Sequence, residues 1–308
     1  MKRDYLSILD LTIEQTMEVI KQALEYKRTF RKGIYYENIL NKKSIALIFE
    51  KPSLRTIATF QLAINQLGGY ALYLEHQSVR MGQREPVKDV ARNLNRWVQG
   101  IVSRVYFHST LVELARYTDI PVINALSDLE HPCQALADFL TIFEITNFSN
   151  NFTLAFVGDG NNVCHSLMLI SSYFGNRFIW AGPKGYEPRE EIVNKAIEIS
   201  KKTGAKIEIT NDIIYAIKNS NFIYTDVWAS MGQETEAEER KKIFKNYQLN
   251  SEILKYAPKD YKIMHCLPAH RGEEITDEII ESENSIVFEQ AENRLHAQKG
   301  LLAILYSK

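Results

Sequence analysis

The chain has 308 residues, 45% of them apolar and 24% charged, with a formal net charge of -1. That length exceeds what one ordinary core organises and suits two domains of about 150 residues each, and the balance excludes a disordered or collagen-like chain. The near-zero charge excludes a basic footprint for nucleic acid and leaves small solutes as the expected partners. Residues Leu11 to Met17 are amphipathic and no long apolar run precedes them, so neither a signal peptide nor a membrane span is expected, and the protein is read as cytoplasmic. Cys133, Cys164 and Cys266 are odd in number and widely spaced, which suits reduced thiols and gives no disulfide framework or paired zinc ligands.

In chain order, short apolar runs alternate with helical periodicity, the pattern of parallel α/β sheets. The first half predicts strands at Ser44 to Phe49, Tyr70 to Leu74, Gly100 to Tyr106 and Pro121 to Asn124. The second half predicts Phe152 to Val157, Arg177 to Ala181, Lys206 to Ile209, Asn221 to Thr225, Tyr261 to His265 and Ser285 to Phe288. The polar stretch Asn147 to Asn151 reads as the boundary, and a last helix, roughly Ala291 to Tyr306, is expected to return to the first domain. The fold class is therefore α/β, two doubly wound parallel sheets, with ligands expected beyond the carboxyl ends of the strands.

Several of those ends carry chemistry. After the first strand, Ser53, Leu54, Arg55 and Thr56 open a helix. Free N–H groups there favour an anion, the hydroxyls can donate, and the guanidinium can clamp two oxygens; the plainer reading is Ser53 as a helix cap. The segment lacks the glycine-lysine pattern of a nucleotide phosphate loop. Arg104, between apolar neighbours near a strand end, would need an anionic partner; the plainer reading is a surface arginine on an edge strand. His131, Pro132, Cys133 and Gln134 open another helix, leaving an imidazole and an amide free to bond a carbonyl oxygen. In the second half, Gly158-Asp-Gly-Asn-Asn162 imitates a dinucleotide turn, but Val163 replaces its third glycine and the ribose-binding acid is missing. Asp226 and Cys266 end two further strands; singly, they read as a turn acid and a small buried hydrophobe.

Taken together, Ser-Leu-Arg-Thr, His-Pro-Cys-Gln, Gly-Asp-Gly-Asn-Asn, Asp-Val-Trp-Ala-Ser-Met-Gly, His-Cys-Leu-Pro and Ala-Glu-Asn-Arg, in this order over nearly the whole chain, resemble the ornithine carbamoyltransferases. The resemblance implies a carbamoyl phosphate domain over 1-146, an ornithine domain over 147-308 whose last helix returns to the first, a homotrimer, and no metal or organic cofactor. It implies that Ser53, Leu54, Arg55, Thr56 and Arg104 hold the phosphate end, that His131, Gln134 and Arg294 contact the carbamoyl group, and that Cys266 and Leu267 bridge both substrates. Asn162, Asp226, Ser230 and Met231 would hold ornithine. The implied catalytic set is Cys266, Arg104, His131, Asp226 and Arg294. The chain departs from the family's usual Ser-Thr-Arg-Thr-Arg at Leu54 and Ile57, and carries Arg80 where a glutamine is common; Arg80 is expected to return the lost charge across a subunit boundary. Three alternatives stay open at this point: a sister transferase using putrescine or an acylated ornithine, a metal-dependent hydrolase built on the histidines and cysteines, and a binding subunit that turns over poorly.

Overall fold

The computed structural model describes residues 4-75, 79-229 and 234-307. It divides the chain into two compact units, one of Met1–Leu140 with Glu292–Lys308 and one of Thr141–Ala291.

The first unit is a parallel sheet of β1 (Ser44–Phe49), β2 (Tyr70–Glu75), β3 (Gly100–Arg104) and β4 (Val122–Leu126), in the order β2-β1-β3-β4. The interior strands β1 and β3 are buried along nearly their whole length, which is why they read as unbroken apolar runs, whereas the edge strand β2 is partly exposed. Helices α1 (Ile13–Arg31), α2 (Leu54–Gln66), α3 (Val87–Trp97), α4 (His108–Arg116) and α5 (Pro132–Thr146) connect or flank the strands. On one face, Ala46 and Ile48 of β1 and Ile101 of β3 pack against Val90 and Leu94 of α3 and Leu111 and Leu114 of α4. The spacing of those helical residues, three or four apart, is the stripe that a sheet-covering helix requires.

The second unit is a parallel sheet of β5 (Thr153–Val157), β6 (Arg177–Ala181), β7 (Lys206–Thr210), β8 (Phe222–Thr225) and β9 (Lys262–His265), in the order β7-β6-β5-β8-β9. Its helices include α6 (Asn162–Tyr173), α7 (Glu190–Thr203), α8 (Ile213–Lys218) and α9 (Ala237–Phe244). Val157, Ile223 and Ile263 from three neighbouring strands share a core with Ile217 of α8 and with Leu249, Ile275 and Ile279.

The strand expected at Ser285 to Phe288 is corrected. Ser285 makes only an isolated bridge to Ile263, and the last helix, α10, begins at Val287 and runs to Tyr306. The amide of Gln290 donates to the carbonyl of Ile286 at 3.0 Å, so the backbone has already closed into helical bonding there. Val287 is buried while Phe288 is 59% exposed, and that apolar pair marks a helix start rather than a strand. From Glu292 onward this helix belongs to the first unit, where Lys27 pairs with Glu292 at 3.3 Å and the Lys299 ammonium donates to the Tyr35 carbonyl at 2.9 Å. Among the described residues no helix is long and apolar enough to cross a membrane.

Each sheet changes direction of winding once, between β1 and β3 in the first unit and between β5 and β8 in the second. Such switch points open a crevice beyond the carboxyl ends of the two strands, the place where open α/β sheets bind ligands.

Candidate active site

At the first switch point, Phe49 of β1 lies in register with Arg104 of β3, so the β1-to-α2 turn and Arg104 leave the sheet side by side. A register shift between Ser103 and Arg104 against β4 marks the point where the strand stops being regular, a device that re-aims a side chain. Arg104 is buried. Ser53 does cap α2, its Oγ accepting from the Thr56 amide at 3.2 Å, and the same hydroxyl donates to Thr56 Oγ1 at 2.9 Å. The cap and the anion-seeking helix start are thus one feature. Leu54 is 81% exposed and contributes no polar group beyond its backbone.

Arg294, on α10, reaches the same place. Its Nη1 donates to Gln134 Oε1 at 2.6 Å and its Nη2 to Thr56 Oγ1 at 3.3 Å. Gln134 is oriented from behind, its Nε2 donating to Asp138 Oδ1 at 2.8 Å, which points the amide oxygen at the guanidinium. His131 is buried, and burial, followed by the charges of Arg294, Arg104 and Arg55, holds its imidazole well below the usual histidine range. A neutral imidazole keeps one donor and one acceptor. The first unit thereby gathers Ser53, Arg55, Thr56, Arg104, His131, Gln134 and Arg294 around one cationic, donor-rich mouth. Arg80 lies on an exposed turn with φ 44, its carbonyl accepting from the amides of Gln83 and Arg84.

At the second switch point, Val157 of β5 pairs with Thr225 of β8, and Thr225 with His265 of β9. Three turns therefore leave adjacent strands. Gly160 is required in the first of them, because a Cβ there would lie 2.2 Å from the Pro188 nitrogen, and Gly158 because its φ is 132. Asn161 caps α6 through its Oδ1, which accepts from the amides of Val163 and Cys164, while its Nδ2 donates to Asp226 Oδ2 at 2.8 Å. The Cys266 thiol donates to Asp226 Oδ1 at 3.0 Å, and the Val227 amide donates to the same oxygen at 2.9 Å. Asp226 is buried, Asn162 and Cys266 half-buried. Leu267 is half-buried with φ 57. Ser230 and Met231, together with Gln77 and Ser78 of the first unit's loop, lie outside the described residues.

The sequence presents both Asn161 and Asn162 at this turn, and the family resemblance assigns Asn162 to ornithine; the structure bonds Asn161 to Asp226. The two are neighbours in a turn, and only the capping geometry decides which amide faces Asp226. Arg240 was missed, for it stands on an ordinary charged helix in the sequence. In the structure it is buried; its Nη1 donates to Asp159 Oδ2 and to the Trp228 carbonyl, each at 3.0 Å, and its Nε to Glu236 Oε2 at 3.0 Å. Burial pushes the Asp159 carboxyl up to about 6 against the pull of Arg240. Arg240→Met will leave that carboxyl buried without its counter-charge, at a cost of about 3-5 kcal/mol in urea unfolding, and adding Asp159→Asn will recover part of it. Because the carboxyl takes up a proton more readily in the folded chain than in the unfolded one, the loss will be smaller near pH 5 than near pH 8.

Asp226, His265 and Cys266 also offer donor atoms within 4.8 Å of one another. Both ring nitrogens of His265 are already engaged, Nδ1 by the Leu267 amide at 2.8 Å and Nε2 by Glu274 Oε1 at 2.9 Å. That leaves no lone pair on the ring aimed at a metal in this group.

The family models place this architecture. Residues 3–144 match the carbamoyl-P binding domain of aspartate/ornithine carbamoyltransferases, and residues 150–305 match the Asp/Orn binding domain. The chain belongs to the aspartate/ornithine carbamoyltransferase family. Within that family it is 50% identical over 303 residues to the ornithine carbamoyltransferase of Archaeoglobus fulgidus, covering 98% of this chain and 97% of that one. It is 47% identical over 303 residues to the anabolic ornithine carbamoyltransferase of Pyrococcus furiosus, covering 98% of this chain and 96% of the relative. The solved structure of ornithine carbamoyltransferase from Pyrococcus furiosus superposes with a TM-score of 0.94 at 47% identity, over 98% of this chain and 96% of that one.

Proposed function

We propose that this carbamoyltransferase moves the carbamoyl group of carbamoyl phosphate to the δ-amine of L-ornithine, giving L-citrulline and phosphate, as a step of arginine biosynthesis. The observation that carries the acceptor assignment is the Asp226 carboxylate held at the second switch point by the Cys266 thiol and Asn161, which joins the Asp-Val-Trp-Ala-Ser-Met-Gly and His-Cys-Leu-Pro motifs of the ornithine carbamoyltransferase resemblance.

The first unit's residues bind the donor substrate. Ser53, Arg55, Thr56 and Arg104 take the phosphate oxygens, with the start of α2 adding its helix dipole. Arg294, Gln134 and the neutral His131 surround the carbamoyl group. Asp226 takes the cationic α-amino end of ornithine, with Asn162, Ser230 and Met231, while Cys266 and Leu267 line the path to the reacting amine.

The amine's lone pair adds to the carbonyl carbon, negative charge gathers on the carbonyl oxygen, the bond to the phosphate oxygen breaks, and phosphate leaves with the amine's proton. No protein nucleophile is needed. The catalytic contribution is a fixed set of donors aimed where charge develops, each worth on the order of a hundredfold to a thousandfold. A lysine-like amine has a pKa near 10.4, so roughly one in a few thousand is neutral at pH 7, and the site must select that form.

Arg80, contributed from a neighbouring subunit of a homotrimer, supplies the positive charge missing at Ile57. Arg80→Gln will raise the KM for carbamoyl phosphate by on the order of tenfold with kcat little changed, since it removes binding common to ground and transition states; an unchanged KM disproves the compensation. The reading as a whole is tested by offering carbamoyl phosphate with ornithine, putrescine and an acylated ornithine side by side. Ureido product from ornithine alone supports it, and product from another amine, or from none, defeats it.

A further inference from the structure

We infer that His265 and Glu274 are positioning residues that hold the Cys266 turn in shape, an inference that rests on the transferase reading only for its kinetic readout. Cys266 lies between two residues stapled by one imidazole. The Leu267 amide can only donate, so His265 Nδ1, 2.8 Å away, must accept and carries no proton. The ring's hydrogen is then on Nε2 and is donated to Glu274 Oε1 at 2.9 Å. The His265 amide donates to Gln290 Oε1 at 2.9 Å, which fixes the strand end from which the ring projects.

The arrangement carries local costs, and Glu274 Oε1 also accepts from the His270 amide at 2.7 Å. Leu267 adopts φ 57, a left-handed conformation that is strained for a residue with a Cβ. His265 and Glu274 are both fully buried, and among the described residues Glu274 Oε2 has no hydrogen-bond partner. Burying a carboxylate oxygen unsatisfied is costly, because its water hydrogen bonds are lost without replacement. What the pair secures is the direction of the turn: with the Leu267 amide tied back to the ring, the intervening thiol faces Asp226 Oδ1 at 3.0 Å. A proton on Nδ1 would set two N–H groups against each other and release the turn, so the Glu274 carboxylate, by accepting from Nε2, fixes the tautomer on which the staple depends.

Two substitutions separate the two ends of the ring. In His265→Gln the amide reaches the place of Nε2 and keeps a donor to Glu274 but loses the acceptor for Leu267; in His265→Asn the amide oxygen takes the place of Nδ1 and keeps it. Cys133 and Cys164 are buried whereas Cys266 is half-buried, so iodoacetamide reports on Cys266 in the folded protein. The expected result for His265→Gln is several-fold faster alkylation and a kcat lower by on the order of tenfold to a hundredfold, with the KM for carbamoyl phosphate little changed. His265→Asn should stay near the wild type in both. Nitrogen-15 NMR of the wild type, which needs no variant to fold, should show an unprotonated Nδ1. Equal behaviour of the two variants, wild-type alkylation in His265→Gln, or a protonated Nδ1 overturns the inference. If the wild type makes no ureido product, the transferase reading fails, while alkylation and the tautomer still decide the positioning role.

Discussion

Arg294→Met will lower kcat by on the order of a hundredfold to a thousandfold while raising the KM for carbamoyl phosphate far less. The guanidinium is 2% exposed and spans Gln134 Oε1 and Thr56 Oγ1, so it holds two of the proposed donor-site residues in place while offering its charge to the carbonyl oxygen. That charge matters most when the oxygen becomes negative, which is why the loss falls on kcat. Methionine fills the space without the charge and leaves Gln134 Oε1 short of a donor, while Thr56 Oγ1 keeps the Ser53 hydroxyl, at about 1-3 kcal/mol of stability. Stability and rate can be separated in one protein: urea unfolding measures the first, and restoration of turnover by added guanidinium measures the second. Arg294→Lys should fall between, since a single ammonium keeps the charge but cannot fork between two oxygens. A methionine variant within about tenfold of the wild type in kcat would remove Arg294 from the catalytic set.

The residues of that first mouth illustrate what a sequence can and cannot disclose. Ser53 and Arg104 were legible because strand ends are legible: β1 and β3 are interior strands buried on both faces, so they read as apolar runs whose ends are easy to find. The bond between Arg294 and Gln134 was not, since it joins positions 160 residues apart and depends on where α10 docks; family resemblance named both residues, but only coordinates pair them. The strand expected at Ser285 to Phe288 failed for a related reason. Four apolar-leaning residues suit a strand or a helix start equally, and length, the usual arbiter, is decided by where the next intrahelical bond forms. Arg240 is not legible, because a helical arginine is the commonest of residues, and Asn161 cannot be told from Asn162 in the sequence; what sets each apart is the buried carboxylate it meets.

Asp226→Asn will raise the KM for ornithine by on the order of a hundredfold, the size expected when one partner of a buried charge pair is lost. More is lost than charge. Both carboxylate oxygens already accept hydrogen bonds, Oδ1 from the Cys266 thiol and the Val227 amide, Oδ2 from Asn161. An asparagine must turn its own NH2 toward one side or the other, so a donor meets a donor whichever way the amide is placed, at about 1-3 kcal/mol. Pairing it with Asn161→Asp separates the two effects. An aspartate at 161 still caps α6 and accepts from the new amide, so the double variant should regain most of the stability lost by Asp226→Asn. It moves the negative charge to the other side chain, away from the place where the acceptor's cationic end is proposed to bind, so the KM for ornithine should stay high while the KM for carbamoyl phosphate remains near the wild type. Recovery of ornithine affinity along with stability would mean that Asp226 serves the fold of the turn and not the acceptor.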